Sequence, residues 1–391
     1  MILNGTKMKK ILFLSAADRL NYGDLLFPIL FKKVLKKNKI TVEFKNFGLV
    51  KSDLSSFGAL KTKSYKKLIK ASKLDNSVLI VGGGEALFPT FTTLYSYINR
   101  SFNYLLKFYK FKKLEKKYTI SSKLLVSKKI KYPFTPSKTF FNNDSIKIIY
   151  NSVGGTFVNI NPNDIKYLIN FMNESDYVSV RDNRSYDSLT KNNIQCRLSP
   201  DSALIMSDFY SKKDLSIVSS LDVKTLPMHY YVVQIGSGKT PKNFDDFFNK
   251  LLKSSKEKGF KIVLCPIGLA SGHDDFEVLS NINNQYPETV LIQPQNIFDI
   301  MLILANSKCY FGTSLHGLIT AQSYNVPFFL FNKNIQKLKS YSETWMTEFC
   351  FEVDDAFDTI IKNWNFEVYK HKTENQKQLV YKNYQTMFSK F

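Results

Sequence analysis

Ser77-Val78-Leu79-Ile80-Val81-Gly82-Gly83-Gly84-Glu85 is the stretch whose reading decides the fold class. The apolar run Ser77–Val81 has the length and composition of a buried strand. The three glycines behind it permit positive φ and close backbone approach at the carboxyl end of a sheet. The spacing is not GxGxxG, so a dinucleotide site is not indicated. Gly83, Gly84 and Glu85 therefore read either as ligand-facing residues or as a tight loop that serves packing.

The same punctuation recurs on both sides. Strand-like runs are Ile11–Leu14, Ile146–Val153, Tyr177–Val180, Tyr230–Ile235, Lys261–Cys265, Val290–Ile292, Lys308–Phe311 and Pro327–Phe331. Several end in turns: Asn21–Asp24, Gly154–Gly155, Gly236–Gly238 and Gly312–Ser314. Helix-like stretches lie between the runs, which predicts an α/β fold of parallel sheets wrapped by helices. Ligands of such sheets bind at the carboxyl ends of the strands, so the turns are the candidate site.

At 391 residues the chain has the length of two domains. Ser211–Asp214 and Leu226-Pro227 flank a boundary, which gives Rossmann-like domains over 1–215 and 216–391. Two such domains facing a cleft form a glycosyltransferase-B-like layout. Residues 100–138 interrupt the alternation as an insertion. Hydrophobic residues at 44% and charged residues at 23% are ordinary for a globular protein. No apolar run reaches the ~18–20 residues that span a bilayer. Lys9–Ser15 is short and meets Asp18 and Arg19 at once, so it reads as a first strand and not as a signal sequence. Cys196, Cys265, Cys309 and Cys350 stand apart, which suggests neither a zinc site nor a disulfide framework and fits a reducing cytoplasm.

Asn21-Tyr22-Gly23-Asp24 joins a strand to the helix-like Leu25–Leu35. A Gly-containing loop entering a helix offers N–H groups to an anion, and Asp24 suits a helix N-terminus. A plain turn with a capping Asp is the alternative. Arg181, at the end of a strand, would place its guanidinium over the cleft for a carboxylate or phosphate, unless it only pairs with Asp182. Gly236-Ser237-Gly238-Lys239-Thr240 imitates the tail of a P-loop, but Val233 stands where GxxxxGK[ST] needs Gly. What remains is an anion-facing loop with Gly236 and Lys239. Gly312-Thr313-Ser314-Leu315-His316-Gly317 puts a His at a strand–helix junction, as a proton carrier or as a structural cap. His273-Asp274-Asp275 reads as a solvated turn, and no GxSxG elbow supports a hydrolase.

In order, these pieces resemble the polysaccharide pyruvyltransferase family. Its NxGD matches Asn21–Asp24, its Gly triplet Gly82–Gly84 and its SVG Ser152–Gly154. SVRDxxSxxxL matches Ser179, Val180, Arg181, Asp182, Ser185 and Leu189. PDxA matches Pro200, Asp201 and Ala203, and LHGLIxA…P matches Leu315–Ala321 with Pro327. Many relatives carry Arg before LHG; here Ser314 stands there, and Lys239 or Lys333 would have to supply the missing cation. The resemblance implies transfer of pyruvate from phosphoenolpyruvate to two hydroxyls of a bacterial glycan sugar, with phosphate released and no metal or other cofactor. On that analogy Arg181 and His316 are catalytic. Asn21, Gly23, Asp24, Gly83, Gly84, Glu85, Asp182, Ser185, Asp201, Gly236, Lys239, Ser314 and Gly317 shape the substrate site.

The net charge is +22, and half of it lies in residues 100–138, where eleven lysines and Arg100 face one acid, Glu115. Tyr104, Phe108, Phe111, Leu114 and Tyr118 recur at helical spacing beside Lys107, Lys110, Lys113 and Lys117. This predicts an amphipathic helix that lies on anionic lipid at the inner face of the plasma membrane, suited to an acceptor on polyprenyl diphosphate. A solvated Lys-rich helix is the alternative, and no motif supports nucleic acid. Two other functions compete. One is a nucleotide-sugar glycosyltransferase, for which Asp274, Asp275 or Glu343 would bind the nucleotide. The other is an inactive binding protein, suggested by Ser314.

Overall fold

The computed structural model describes residues 8–74, 76–268, 275–332, 334–353 and 356–391. Two six-stranded sheets, each parallel throughout, form the frame. The first contains β1 (Lys10–Leu14), β2 (Glu43–Phe47), β3 (Ser77–Gly82), β4 (Lys147–Val153), β5 (Tyr177–Val180) and β6 (Arg197–Leu198), in the order β2-β1-β3-β4-β5-β6. The second contains β7 (Tyr230–Gln234), β8 (Lys261–Leu264), β9 (Val290–Leu291), β10 (Cys309–Gly312), β11 (Phe328–Leu330) and β12 (Phe351–Glu352), in the order β12-β11-β10-β7-β8-β9. The central strands β1, β3 and β7 are buried almost end to end, because helices cover both faces of each sheet.

The strand order positions the site. In the first sheet the strand order reverses between β1 and β3, and in the second between β7 and β10. Loops that leave such neighbouring strands diverge to opposite faces and open a crevice. The helix Tyr22–Lys37 follows β1, and the helix Leu315–Ser323 follows β10. They meet at the seam, where Tyr22 Oη lies 2.8 Å from Thr320 Oγ1. An isolated bridge joins Asn21 to Gly268, and one continuous apolar core includes Ile11 of the first sheet and Val232 of the second. The last helix, Phe366–Phe388, crosses back to the first sheet. There the Asn383 amide donates to Asn151 Oδ1 at 2.9 Å and its Oδ1 accepts from Tyr177 Oη at 2.6 Å.

The basic segment differs from the single amphipathic helix expected across Tyr104–Tyr118. It forms three short helices, Arg100–Leu105, Tyr109–Tyr118 and Ile120–Val126. Phe108 is extended (φ −78°, ψ 117°) and breaks the first from the second; Thr119 is left-handed and breaks the second from the third. Tertiary contacts override the helical spacing. Phe102 packs on Tyr95 and Phe111, with centroids 4.8 and 5.9 Å away, and buried Glu115 accepts from Thr92 Oγ1 at 2.9 Å and from the Ser121 amide at 3.1 Å.

Candidate functional site

The carboxyl ends of β1, β3, β7, β8 and β10 enclose a cleft of about 320 Å³ between the two sheets. That is the low end of the ~300–1,000 Å³ usual for small-molecule sites. Its lining includes Arg19, Asn21, Asp24, Glu85, Gln234, Lys239, Ser314, His316 and Lys337.

His316 stands at the centre. Its backbone belongs to the helix Leu315–Ser323, capped by Ser314, whose Oγ accepts from the Gly317 amide at 3.3 Å. The imidazole sits edge-on to Phe27, 5.4 Å between centroids. It also sits so close to Gly23 that a Cβ there would lie 1.9 Å from Nδ1. Behind it, Nε2 is 3.7 Å from Asp201 Oδ2. Asp201 is fully buried; its Oδ1 accepts from the Ala203 amide at 2.9 Å and its Oδ2 from Arg181 Nη1 at 3.1 Å. Burial alone would raise the Asp201 carboxyl, but the His316 contact and the Arg181 charge outweigh it and hold it below the ordinary range. The anion thus stays available to orient and stabilise the imidazole.

Gly23→Ala would drive a methyl into the imidazole. We expect turnover at this cleft to fall on the order of 100-fold, measured by steady-state kinetics, because the ring must move.

Arg181 differs from its expected place over the cleft. Its side chain is 1% exposed and its guanidinium is already occupied. Nη2 donates to Glu85 Oε2 at 2.9 Å, Nη1 donates to Asp201, and Nε is 3.7 Å from Asp182 Oδ2. Gly154 makes room for this cluster: a Cβ there would come within 2.8 Å of both Arg181 Nε and Glu85 Oε2. Glu85 also pairs with Arg184 and is held below the usual carboxylate range, since Arg181 and Arg184 overcome the opposing effect of burial. Arg181 therefore braces Asp201 and Glu85 from behind and does not hold an incoming anion itself.

Other expected site residues also prove to be structural supports. Asp182 caps the helix Asn183–Thr190 and accepts from the Ser185 amide and hydroxyl, both at 2.8 Å, while Ser185 Oγ accepts from the Gly155 amide. Gly317 passes against Tyr310, whose hydroxyl would be 2.2 Å from a Cβ. Gly83 (φ +65°) fits against Phe27, and a Cβ on Gly84 (φ +71°) would lie 3.0 Å from Asp24 Oδ1. Gly236 packs against the Lys239 stem. Asp275, a candidate nucleotide ligand, does line the cleft, but it is buried and already accepts from Gln234 Nε2 and from the Ile267 and Gly268 amides. Glu343 is exposed beside Lys339. His273, Asp274 and Lys333 lie outside the described residues.

The sequence reading missed Lys337. It lies in the helix Gln336–Trp345, far from any Gly-rich turn, and the fold brings it beside Lys239 in the cleft. Among the described residues neither lysine has a carboxylate within ion-pair distance. Burial first, then the Lys239 and Arg181 charges, push the Lys337 ammonium down to about 8. Asp24 responds in the opposite direction: burial raises its carboxyl, only partly offset by Arg19, His316 and Lys337. The cleft thus joins two lysines with no ion-pair partner among the described residues, a carboxyl inclined to keep its proton and an imidazole backed by a carboxylate.

The sequence pattern of the family described as "Polysaccharide pyruvyl transferase" matches residues 21–333. No curated protein matches the chain. Among solved structures, UDP-N-acetylglucosamine 2-epimerase from Rickettsia bellii is similar at 11% identity and a TM-score of 0.55, covering 98% of this chain and 97% of that one. UDP-GlcNAc 2-epimerase from Neisseria meningitidis, bound to UDP-GlcNAc, is similar at 11% identity and 0.54, covering 97% and 100%. An alpha-glucosyltransferase in complex with UDP-glucose and DNA containing an abasic site follows at 11% and 0.51, covering 98% of each chain. These likenesses establish a glycosyltransferase-B-like fold.

Proposed function

The chain belongs to the polysaccharide pyruvyl transferase family, and from that premise we propose that it transfers pyruvate from phosphoenolpyruvate to two hydroxyls of a glycan sugar. The observation that carries this reading is the pair Lys239 and Lys337, neither with an ion-pair partner among the described residues, beside Asp24 and His316. Phosphoenolpyruvate brings a phosphate and a carboxylate on three carbons, and two ammonium groups in a small cleft are the matching receptor. In this reading Lys337 supplies to the cleft a cation that Ser314 does not.

The reaction adds a proton to C3 of the enol, which makes C2 electrophilic. One sugar hydroxyl adds to C2 and loses its proton. The C2–O bond to phosphate breaks, the second hydroxyl adds and its proton goes out with the phosphate. The raised carboxyl of Asp24 is suited to hold the proton for C3. His316, oriented by Asp201, takes a proton from an attacking hydroxyl. Asn21 and Ser314 line the cleft, and this reading assigns them to the acceptor. An acceptor carried on polyprenyl diphosphate would place this chemistry at the inner face of the plasma membrane.

Thermal stabilisation is the first test. At about 100 times its Kd, phosphoenolpyruvate should stabilise the protein by ~2.7 kcal/mol, and UDP should not. The reverse result would favour a nucleotide-sugar glycosyltransferase. Lys337 adds a pH signature. Bound phosphate favours the charged ammonium, so donor affinity should fall as pH rises through about 8. Lys337→Met should remove that dependence and roughly tenfold or more of the affinity, read by calorimetric titration. Without donor the sign reverses. Between about 8 and 10.5, the ordinary lysine value, the unfolded chain keeps a proton that the folded one has lost, so stability rises with pH.

A further inference from the structure

Seventeen large apolar side chains are strongly exposed among the described residues, and seven of them fall between Tyr104 and Leu124. Tyr109 and Leu124 are the most exposed of these seven, at 75% and 78%. Seven lysines of the same stretch, from Lys107 to Lys123, are exposed too, and among the described residues no carboxylate pairs with any of them. The one acid, Glu115, is turned inward and consumed by Thr92 and Ser121. A solvated lysine-rich cover would have no reason to expose apolar side chains as well. A surface that must be wetted by water on one side and held by hydrocarbon on the other has both.

We propose that the three-helix segment 100–126 is a docking platform for an anionic lipid bilayer. Charge complementarity selects the occupant: lysines meet phosphate headgroups while Tyr104, Phe108 and Leu124 reach the acyl boundary. The broken helices suit this better than one straight helix, because the turns at Leu106–Phe108 and Thr119 expose apolar side chains at the corners. The platform also lies beside the cleft. The helix Phe91–Ser96 packs against Arg100–Leu105 and Ile120–Val126, while Thr93 and Leu94 line the cleft together with Tyr97. An acceptor held in that bilayer therefore arrives at the mouth of the site. This last step rests on the pyruvyl-transfer reading; the docking does not.

Vesicle flotation without donor or acceptor separates the two. The whole protein should float with phosphatidylcholine vesicles that contain roughly a third phosphatidylglycerol and stay behind with pure phosphatidylcholine. Raising salt to about 0.5 M should release it. The triple variant Lys110→Glu, Lys113→Glu, Lys117→Glu should lose roughly tenfold or more of the partitioning. Phe108→Ser with Leu124→Ser should weaken binding to the same vesicles while keeping its salt dependence, and carries the test if the charge variant does not fold. No flotation, equal flotation on neutral vesicles, no effect of the variants, or tighter binding to a single-stranded oligonucleotide than to anionic vesicles would each overturn the proposal.

Discussion

His316→Ala is expected to lower acceptor-dependent phosphate release by roughly 10²–10⁴-fold, with the donor Kd changed by less than about threefold. The split follows from the geometry. The imidazole is wedged between Gly23 and Phe27 and backed by Asp201, so it is held in one orientation at the cleft wall. The cations that face the donor are Lys239 and Lys337, which the substitution does not touch. A rise in donor Kd with unchanged turnover would instead make His316 a binding residue. Pre-steady-state measurement of the first turnover checks this directly, because it separates donor binding from chemistry. Asp201→Asn tests the relay behind the ring. It preserves volume and removes the charge, so turnover should fall by less than in His316→Ala and its pH profile should shift.

Arg181→Met carries the second large effect, and it is one of stability. The guanidinium is buried among Glu85, Asp182 and Asp201, with bonds of 2.9 and 3.1 Å to the first and last. Removing it strips the fully buried Asp182 and Asp201 of their guanidinium and leaves Glu85 to Arg184 alone, a loss of about 3–5 kcal/mol. Urea denaturation should show a midpoint lowered accordingly, with the slope unchanged. Arg181→Lys should recover only part of the loss, since an ammonium cannot span Glu85 and Asp201 in one plane. The cluster also sets an acid limit. Glu85 and Asp201 are held below their ordinary values, so their contribution is complete above the usual carboxylate range and is lost as pH falls through the folded values. If Arg181→Met keeps its stability but loses donor affinity, the guanidinium acts on the substrate after all.

Much of the frame was legible because central strands of parallel sheets are nearly continuous apolar runs. Ser77–Val81, Tyr230–Ile235 and Lys261–Cys265 are each found within a residue of the strands observed. The strands that escaped notice are edges. Glu43–Phe47 mixes Glu, Lys and Asn with two Phe and is only partly buried, while Arg197–Leu198 and Phe351–Glu352 are two residues long. The turns pointed to the cleft because Gly and polar residues cluster where strands end. Asn21, Asp24, Lys239, Ser314 and His316 do line it. The same turns could not separate a residue facing the cleft from one supporting it. Asp182 and Ser185 look like ligands in sequence, yet cap a helix; Gly317 makes room for Tyr310. Lys337 left no trace, because its place depends on how the second sheet presents the helix Gln336–Trp345. The insertion misled by periodicity: Tyr104 to Tyr118 has helical spacing, but Phe102 and Glu115 are claimed by tertiary contacts that break the helix.

The most direct test of the central claim is the release of inorganic phosphate from phosphoenolpyruvate in the presence of lipid-linked glycan from the source cell, with the glycan product weighed by mass spectrometry. The account predicts phosphate released only when acceptor is present, in step with a glycan that has gained one carboxyethylidene unit. Release of UDP from a UDP-sugar, with phosphoenolpyruvate left intact and no such gain in mass, would contradict it.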